Sequence, residues 1–530
     1  VKSHVKNSDV RIWGGNRLVR TISLLSLTAA VASACAAGPS LRPDIAVSGQ
    51  SGGVVDESTP PAAETVPPME VPTEELSWRD CTARTLTELG LPPGPGGLTL
   101  ECATLRGELD PDTTPASTNI DVMRASTAAT PADAPPLVLT AGADQPSTTS
   151  LAVLATGPRS GLLDQYPVVA VDRRGLGVGT NPDCLTTTDR TRLTEAAGRT
   201  VDPTARAEDM MGVVSEATVA CTDMLRPSIT QQDARHAAAD LDTLRQAWGV
   251  ERLAILAVGS GSRVALTYAT ELPDALSRLI LDSPASVDAD AQQIAEGRAQ
   301  ADQAALAALV QLCAAADCGL GPDPAARIDE LLAKVRRGEI PSLSVGAVLS
   351  RIRQSVAAAD QPWEVRATQL GRLLSDALAG NPDAVGALAA TVAITDGQFT
   401  ASCSDAPPAA TPEQSAAAQT KWQAQYPQFG ADSAVRMLTC SAWPSHEPPP
   451  APNQVPIPVL ILSGAADPVV GAGSADTVTA ALDRTGTKST VVSWAGVGHG
   501  AMWNSECAAT EVVKYLAEGA LPTLRTACPA

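Results

Sequence analysis

The stretch Leu253-Ala-Ile-Leu-Ala-Val-Gly-Ser-Gly-Ser262, followed by an apolar run to Tyr268-Ala269, decides how this chain is read. Its six leading apolar residues suit a buried strand, Gly-Ser-Gly a tight turn, and the run beyond it a helix. That is the layout of a nucleophile elbow, in which small residues two before and two after the reactive position let the chain turn sharply. Ala257 and Gly261 fit the small positions, so the reactive position falls on Gly259. Moving the register to Ser260 would place Val258 and Ser262 there instead, which breaks the pattern. The turn is therefore expected to keep the shape of an elbow without a nucleophile.

Working outward, short apolar runs recur at 136–140, 167–171, 279–281, 458–462 and 489–493. Each is closed by small or polar residues, as expected of strands buried on both faces of a parallel sheet. Helical patterns over 237–248 and 263–271 alternate with them. An α/β fold follows, with a mostly parallel sheet covered on both faces. From 286 to 450 the texture turns Ala-rich and helical, with little that reads as a strand. This region is expected to form a helical lid, dividing an α/β core into 77–285 and 451–530.

Two residues stand where catalytic partners of an elbow belong. Asp467 follows the run 458–462, and His499 follows 489–493 within a Gly-rich loop. The order of nucleophile position, acid and base, each after a strand, is that of a hydrolase triad. His499 would be the general base and Asp467 its orienting partner. His236 reads as a residue at a helix start, and His446 as an exposed residue in a Pro-rich connection.

The N-terminal 34 residues carry a basic segment and a short apolar stretch, which read as an export signal rather than a membrane span. Ala32-Ser33-Ala34-Cys35 resembles a lipobox, implying lipid attachment at Cys35 and a membrane-anchored, extracytoplasmic or secreted protein. Residues 35–76 are rich in Pro, Ser and Thr and are expected to be a disordered tether. The net charge of −20 argues against nucleic acid as a partner. Aromatic residues make up only 3 % of the chain, so the core must be built from Ala, Val and Leu. Ten cysteines besides Cys35 suggest five disulfides in an exported chain. Many pairings are open, neighbour pairing being the simplest. No zinc-type spacing appears, so neither a metal nor another cofactor is expected.

Taken together, the chain resembles the exported tripeptidyl-aminopeptidase-like branch of the α/β-hydrolases, relatives of proline iminopeptidases with a distinctive C-terminal region. The likeness runs from Trp78 to Cys528. It rests on Trp78-Arg-Asp-Cys81, Asp172-Arg-Arg-Gly-Leu-Gly177, Asp240-Leu-Asp242, Leu279-Ile-Leu-Asp282, Cys403-Ser-Asp405, Thr439-Cys-Ser-Ala-Trp-Pro444 and Gly498-His499. The resemblance implies an α/β-hydrolase fold, peptidase or esterase chemistry, and disulfides Cys81–Cys102, Cys184–Cys221, Cys313–Cys318, Cys403–Cys440 and Cys507–Cys528. An acidic residue at Asp405 could recognise a peptide amine, which the sequence does not decide; a structural hydrogen-bonding role is expected.

Two departures from the family pattern matter. Relatives carry Gly-x-Ser-Tyr-Gly at the turn, where this chain has Ala257-Val-Gly-Ser-Gly261. They carry Asn-Pro-Gly-Gly-Pro-Gly at the oxyanion loop, where this chain has Thr140-Ala-Gly-Ala-Asp-Gln145. Gly142, Ala143 and Ser260 remain as the oxyanion donors to be expected, and losing one such donor costs ~3–4 kcal/mol of transition-state stabilisation. Asp144 would set a negative charge beside the one that must form. The leading expectation is thus a degenerate hydrolase binding a peptide, small molecule or envelope ligand in a lidded pocket. An active hydrolase using Ser260, or a water in the space left by Gly259, is one alternative. An envelope scaffold is the other.

Overall fold

Apolar alternation along each strand builds the centre of the molecule. In the elbow strand, Ile255 and Ala257 join the apolar cluster on one face, while Ala254, Leu256 and Val258 join the one on the other. Burying such a side chain on both faces stabilises the sheet by roughly 1.5–3 kcal/mol per larger aliphatic residue. The computed structural model describes residues 66–530 except 110–116, 178–180, 197, 199–201, 227, 384, 387–393, 445–447 and 524–525. The export signal, Cys35, His446 and most of the expected tether lie outside the described residues.

Within the described residues the strands are β1 (Arg79–Asp80), β2 (Thr99–Glu108), β3 (Ser117–Ser126), β4 (Leu137–Thr140) and β5 (Val168–Val171). They continue with β6 (Leu253–Val258), β7 (Leu276–Asp282), β8 (Val459–Ala466), β9 (Ser489–Val497) and β10 (Thr526–Cys528). They form one ten-stranded sheet in the order β1-β2-β3-β5-β4-β6-β7-β8-β9-β10. From β5 to β10 neighbouring pairs are parallel, and β1, β2 and β3 add an antiparallel edge. The strand order reverses around β4, so the loops after β4 and β6 part and leave a crevice at the strand ends.

Between β7 and β8 the chain runs through helices Ala291–Ala315, Pro324–Arg336, Val345–Ala357, Trp363–Leu378, Asp396–Ser404, Pro412–Gln425 and Gly430–Arg436. The helical layer is wider than the sequence reading has it. Leu185, Leu193, Met210 and Val214 share an apolar cluster with Phe399, Val435 and Trp443. Helices Thr187–Thr194 and Pro203–Leu225 therefore pack with the lid, although they precede β6 in the chain. The tether is also shorter than expected. Val66, Met69 and Leu76 pack against the core, and the N–H groups of Thr73 and Glu74 donate to Trp248 O. Those three apolar side chains give the segment enough buried surface to order it.

The ten cysteines pair as Cys81–Cys102, Cys184–Cys221, Cys313–Cys318, Cys403–Cys440 and Cys507–Cys528. Several disulfides are consistent with an extracytoplasmic protein. Among the described residues, no helix is long and apolar enough to cross a membrane. None of their His, Cys, Asp and Glu side chains form a group of three or more that could hold a metal ion.

Candidate functional site

The site is assembled at the carboxyl ends of β4, β6, β8 and β9. β6 ends at Val258, and helix Gly261–Glu271 begins three residues later. Gly259 makes the turn with φ +57°, in the left-handed region that glycine adopts without penalty. A second close approach explains Gly142, where an added Cβ would lie 2.4 Å from Gly261 N. Only glycine lets the loop after β4 rest directly on the start of that helix.

Asp467 follows β8 and His499 lies two residues beyond β9. Their side chains meet, with His499 Nδ1 2.9 Å from Asp467 Oδ2 and 3.1 Å from Oδ1. The Asp467 carboxylate also accepts the N–H groups of Val469 and Val470. Burial opposes its charge, but the His499 ring and these donors outweigh that and hold Asp467 below the usual carboxylate range. His499 shows the reciprocal effect. Burial lowers its proton affinity, yet Asp467, Asp144 and Asp282 together raise its pKa to about 9. These carboxylates favour the imidazolium, whereas a general base works best with a pKa near the operating pH.

Gly259 occupies the place where the elbow would present a nucleophile to that ring. A Cβ built on Gly259 would lie 2.9 Å from His499 Nε2. The same Cβ would lie 2.1 Å from Asp144 Oδ2. The side-chain space at residue 259 is thus filled by the Asp144 carboxylate. This overturns the expectation of an open space able to hold an activated water.

Two of the three expected oxyanion donors, Ala143 and Ser260, are also engaged by the chain itself. Ser260 N–H donates to Asp144 Oδ2 at 2.6 Å, and Ala143 N–H donates to Ser260 Oγ at 2.8 Å. Ser260 Oγ in turn lies 3.4 Å from Ala141 O. Among the described residues, no hydrogen bond joins Ser260 to His499. Its hydroxyl is committed to the loop after β4, because the turn aims residue 259 and not residue 260 at the imidazole.

Three supporting residues escape the sequence reading. Buried Asp282, at the end of β7, accepts Ala501 N–H at 2.7 Å and Met502 N–H at 3.0 Å. It thereby fixes the loop that carries His499. Burial pushes its pKa up to about 6, the two amides acting against that shift. A polar residue closing the run 279–281 was the available signal. From the lid, Ala357 O accepts His499 N–H at 3.2 Å, and Gln398 Nε2 donates to Asp144 O. Nothing local in the sequence points to these contacts.

Asp405 is not free to recognise an amine. Its carboxylate is fully buried, lying 2.6 Å from Arg173 Nη1 and accepting Ala234 N–H at 2.8 Å, contacts that fit a structural role. His236 sits at the start of helix Ala234–Ala247, its ring against Asp233 Oδ1.

A cavity of about 450 Å³ opens beside His499 and Asp144. Its walls include Val153 and Trp503 from the core and Arg351, Gln354 and Ala358 from the lid. A second cavity, of about 720 Å³, lies against the Cys81–Cys102 disulfide and contains none of the site residues.

Two family models match parts of the chain. Residues 159–334 match the alpha/beta hydrolase fold family, and residues 426–528 match the TAP-like protein family. No curated protein matches the chain. Among solved structures, a thermophilic esterase from Thermogutta terrifontis aligns at 13 % identity and a TM-score of 0.33, covering 78 % of this chain and 99 % of that one. Naproxen esterase from Bacillus subtilis aligns at 14 % identity and a TM-score of 0.33, covering 82 % and 95 % respectively. A membrane phospholipase A aligns at 14 % identity and a TM-score of 0.32, covering 79 % and 86 %.

Proposed function

We propose that this chain, which has an α/β-hydrolase fold and matches the TAP-like family over residues 426–528, is a degenerate hydrolase that binds a ligand beneath its lid and does not cleave it. The observation that carries this reading is Gly259, the residue aimed at His499 Nε2, which has no side chain. Three further features support it. The Ser260 hydroxyl is bonded to the loop after β4, the amides of Ala143 and Ser260 already have partners, and three carboxylates raise the proton affinity of His499. The 450 Å³ cavity is large enough for a small molecule or the end of a peptide. The basic and apolar leader, the sequence before Cys35 and the five disulfides support an exported lipoprotein that meets its ligand at the cell envelope.

An activity-based fluorophosphonate probe tests the reading. The purified protein is expected to stay unlabelled, and Ser260→Ala to behave identically. Labelling of the wild type that disappears in Ser260→Ala would instead establish a working serine hydrolase. A ligand carried through purification should appear in native mass spectra and be lost when Val153 or Gln354 is replaced by arginine. A protein that carries nothing and whose phenotype follows surface substitutions would be a scaffold.

A further inference from the structure

The Asp144 carboxylate sits where an anion forms in a reacting hydrolase, and the surrounding groups hold it as a ligand. Its Oδ2 accepts Ser260 N–H at 2.6 Å, at the start of helix Gly261–Glu271. The same atom and His499 Nε2 approach the vacant Cβ position of Gly259 to 2.1 Å and 2.9 Å, so carboxylate and imidazole face each other across that point. Asp144 and Gly259 are therefore complementary. Any side chain at 259 would collide with the carboxylate, and without the carboxylate the turn would border an empty, electropositive hollow.

We propose that this is a self-ligated anion hole, in which Asp144 is the resident ligand and a carboxylate entering the cavity competes for its place. The proposal deepens the reading of the site as one that binds without reacting, and rests on it. The chain fixes Asp144 from two sides. The lid helix Asp396–Ser404 holds its carbonyl through Gln398, and the neighbouring Ala143 N–H is held by Ser260 Oγ. Cationic groups face it from three elements: Arg263 of helix Gly261–Glu271, Arg298 of helix Ala291–Ala315, and His499 after β9. The His499 ring in turn faces Asp467 after β8, Asp282 at the end of β7, and Asp144. A free carboxylate matches the Asp144 side chain in charge, shape and acceptor geometry. Its organic part would extend into the 450 Å³ cavity, which opens directly onto Asp144 and His499.

The chain has four histidines, so the His499 ring can be followed by NMR titration and assigned with His499→Gln. Acetate is the probe, with chloride at equal ionic strength as the control. Replacing Asp144 by Ala should weaken proton binding at His499 by about tenfold or more, since one of three facing carboxylates is gone. Acetate should then restore it saturably, beyond the effect of chloride. Asp144→Asn should also weaken proton binding, yet resist rescue, because its amide still fills the hollow. An unchanged His499 titration in Asp144→Ala would overturn the proposal. So would acetate acting equally on Asp144→Ala and Asp144→Asn, or having no effect on Asp144→Ala. Probe labelling of the wild type is a separate result, which would remove the non-reactive reading while leaving the anion hole to be judged by these titrations.

Discussion

On the proposed reading, Gly259 and Asp144 are two separate obstacles to catalysis, and substituting either one alone is expected to leave the other in place. An active elbow tolerates a strained backbone at its nucleophile, a cost of roughly 1–3 kcal/mol that glycine avoids. Gly259→Ser would restore that strain at φ +57° and drive its Cβ against Asp144 Oδ2. The single variant should therefore lose roughly 1–3 kcal/mol of stability in urea denaturation and remain unlabelled by a fluorophosphonate. Adding Asp144→Ala to it clears the hollow, frees Ser260 N–H and removes one of the charges holding the proton on His499. Slow labelling and weak esterase activity are expected only in the double variant. If Gly259→Ser alone labelled as fast as the double variant, Asp144 would not be the second obstacle. Gly259, Asp467 and His499 were legible in the sequence because each follows a strand in a fixed order. The bond between Asp144 and Ser260 was not, because it joins residues 116 apart in the chain and depends on how closely β4 approaches the helix after β6.

Individual elements place these residues, and buried charge holds the lid elements together. Arg353, on helix Val345–Ala357, lies 2.6 Å from Asp302 on helix Ala291–Ala315 and 2.7 Å from Asp432 on helix Gly430–Arg436. Arg436 adds a contact to Asp432 at 2.8 Å. Burial opposes the charge on Asp432, but Arg436, Arg353 and Arg206 outweigh it and hold the carboxyl far below its ordinary range. Helix Val345–Ala357 ends at the carbonyl that accepts His499 N–H, so this cluster ties the helix that touches His499 to two other lid helices. Asp432→Ala should cost ~3–5 kcal/mol, because it leaves Arg353 buried beside a single carboxylate. Arg353→Met in the same chain should recover much of that loss, which a double-mutant cycle in urea reads directly. Strictly additive losses would show that the charges act independently. The buried parallel strands were readable as continuous apolar runs, which two-faced burial demands. β2 and β3 were not, since one side of each is partly exposed and their apolar residues are diluted by Thr, Glu, Asn and Arg. The contribution of helix Pro203–Leu225 to the lid was equally hidden, because packing between distant helices leaves no local period.

Across the whole molecule, a strongly acidic chain with few aromatic residues must hold a wide helical layer onto its sheet, and cross-links supply part of that cohesion. Cys184–Cys221 and Cys403–Cys440 each span 37 residues and border the same apolar cluster, which joins the helices before β6 to those after β7. Cys313–Cys318 spans only 5 residues at the end of one lid helix. If the bonds act mainly by restricting the unfolded chain, a 37-residue loop contributes roughly 4 kcal/mol and a 5-residue loop roughly 2 kcal/mol. Replacing Cys403 and Cys440 by Ser should thus lower the urea midpoint about twice as far as replacing Cys313 and Cys318. Equal losses would mean that native packing around the sulfurs, and not loop length, sets their contribution. Breaking the two longer bonds together should expose the cluster around Phe399 and Trp443, detectable as increased Trp fluorescence quenching by acrylamide before the sheet unfolds. Such a protein would keep its lid on the site only where thiols stay oxidised, so loss of cavity binding under reducing conditions should precede loss of the sheet.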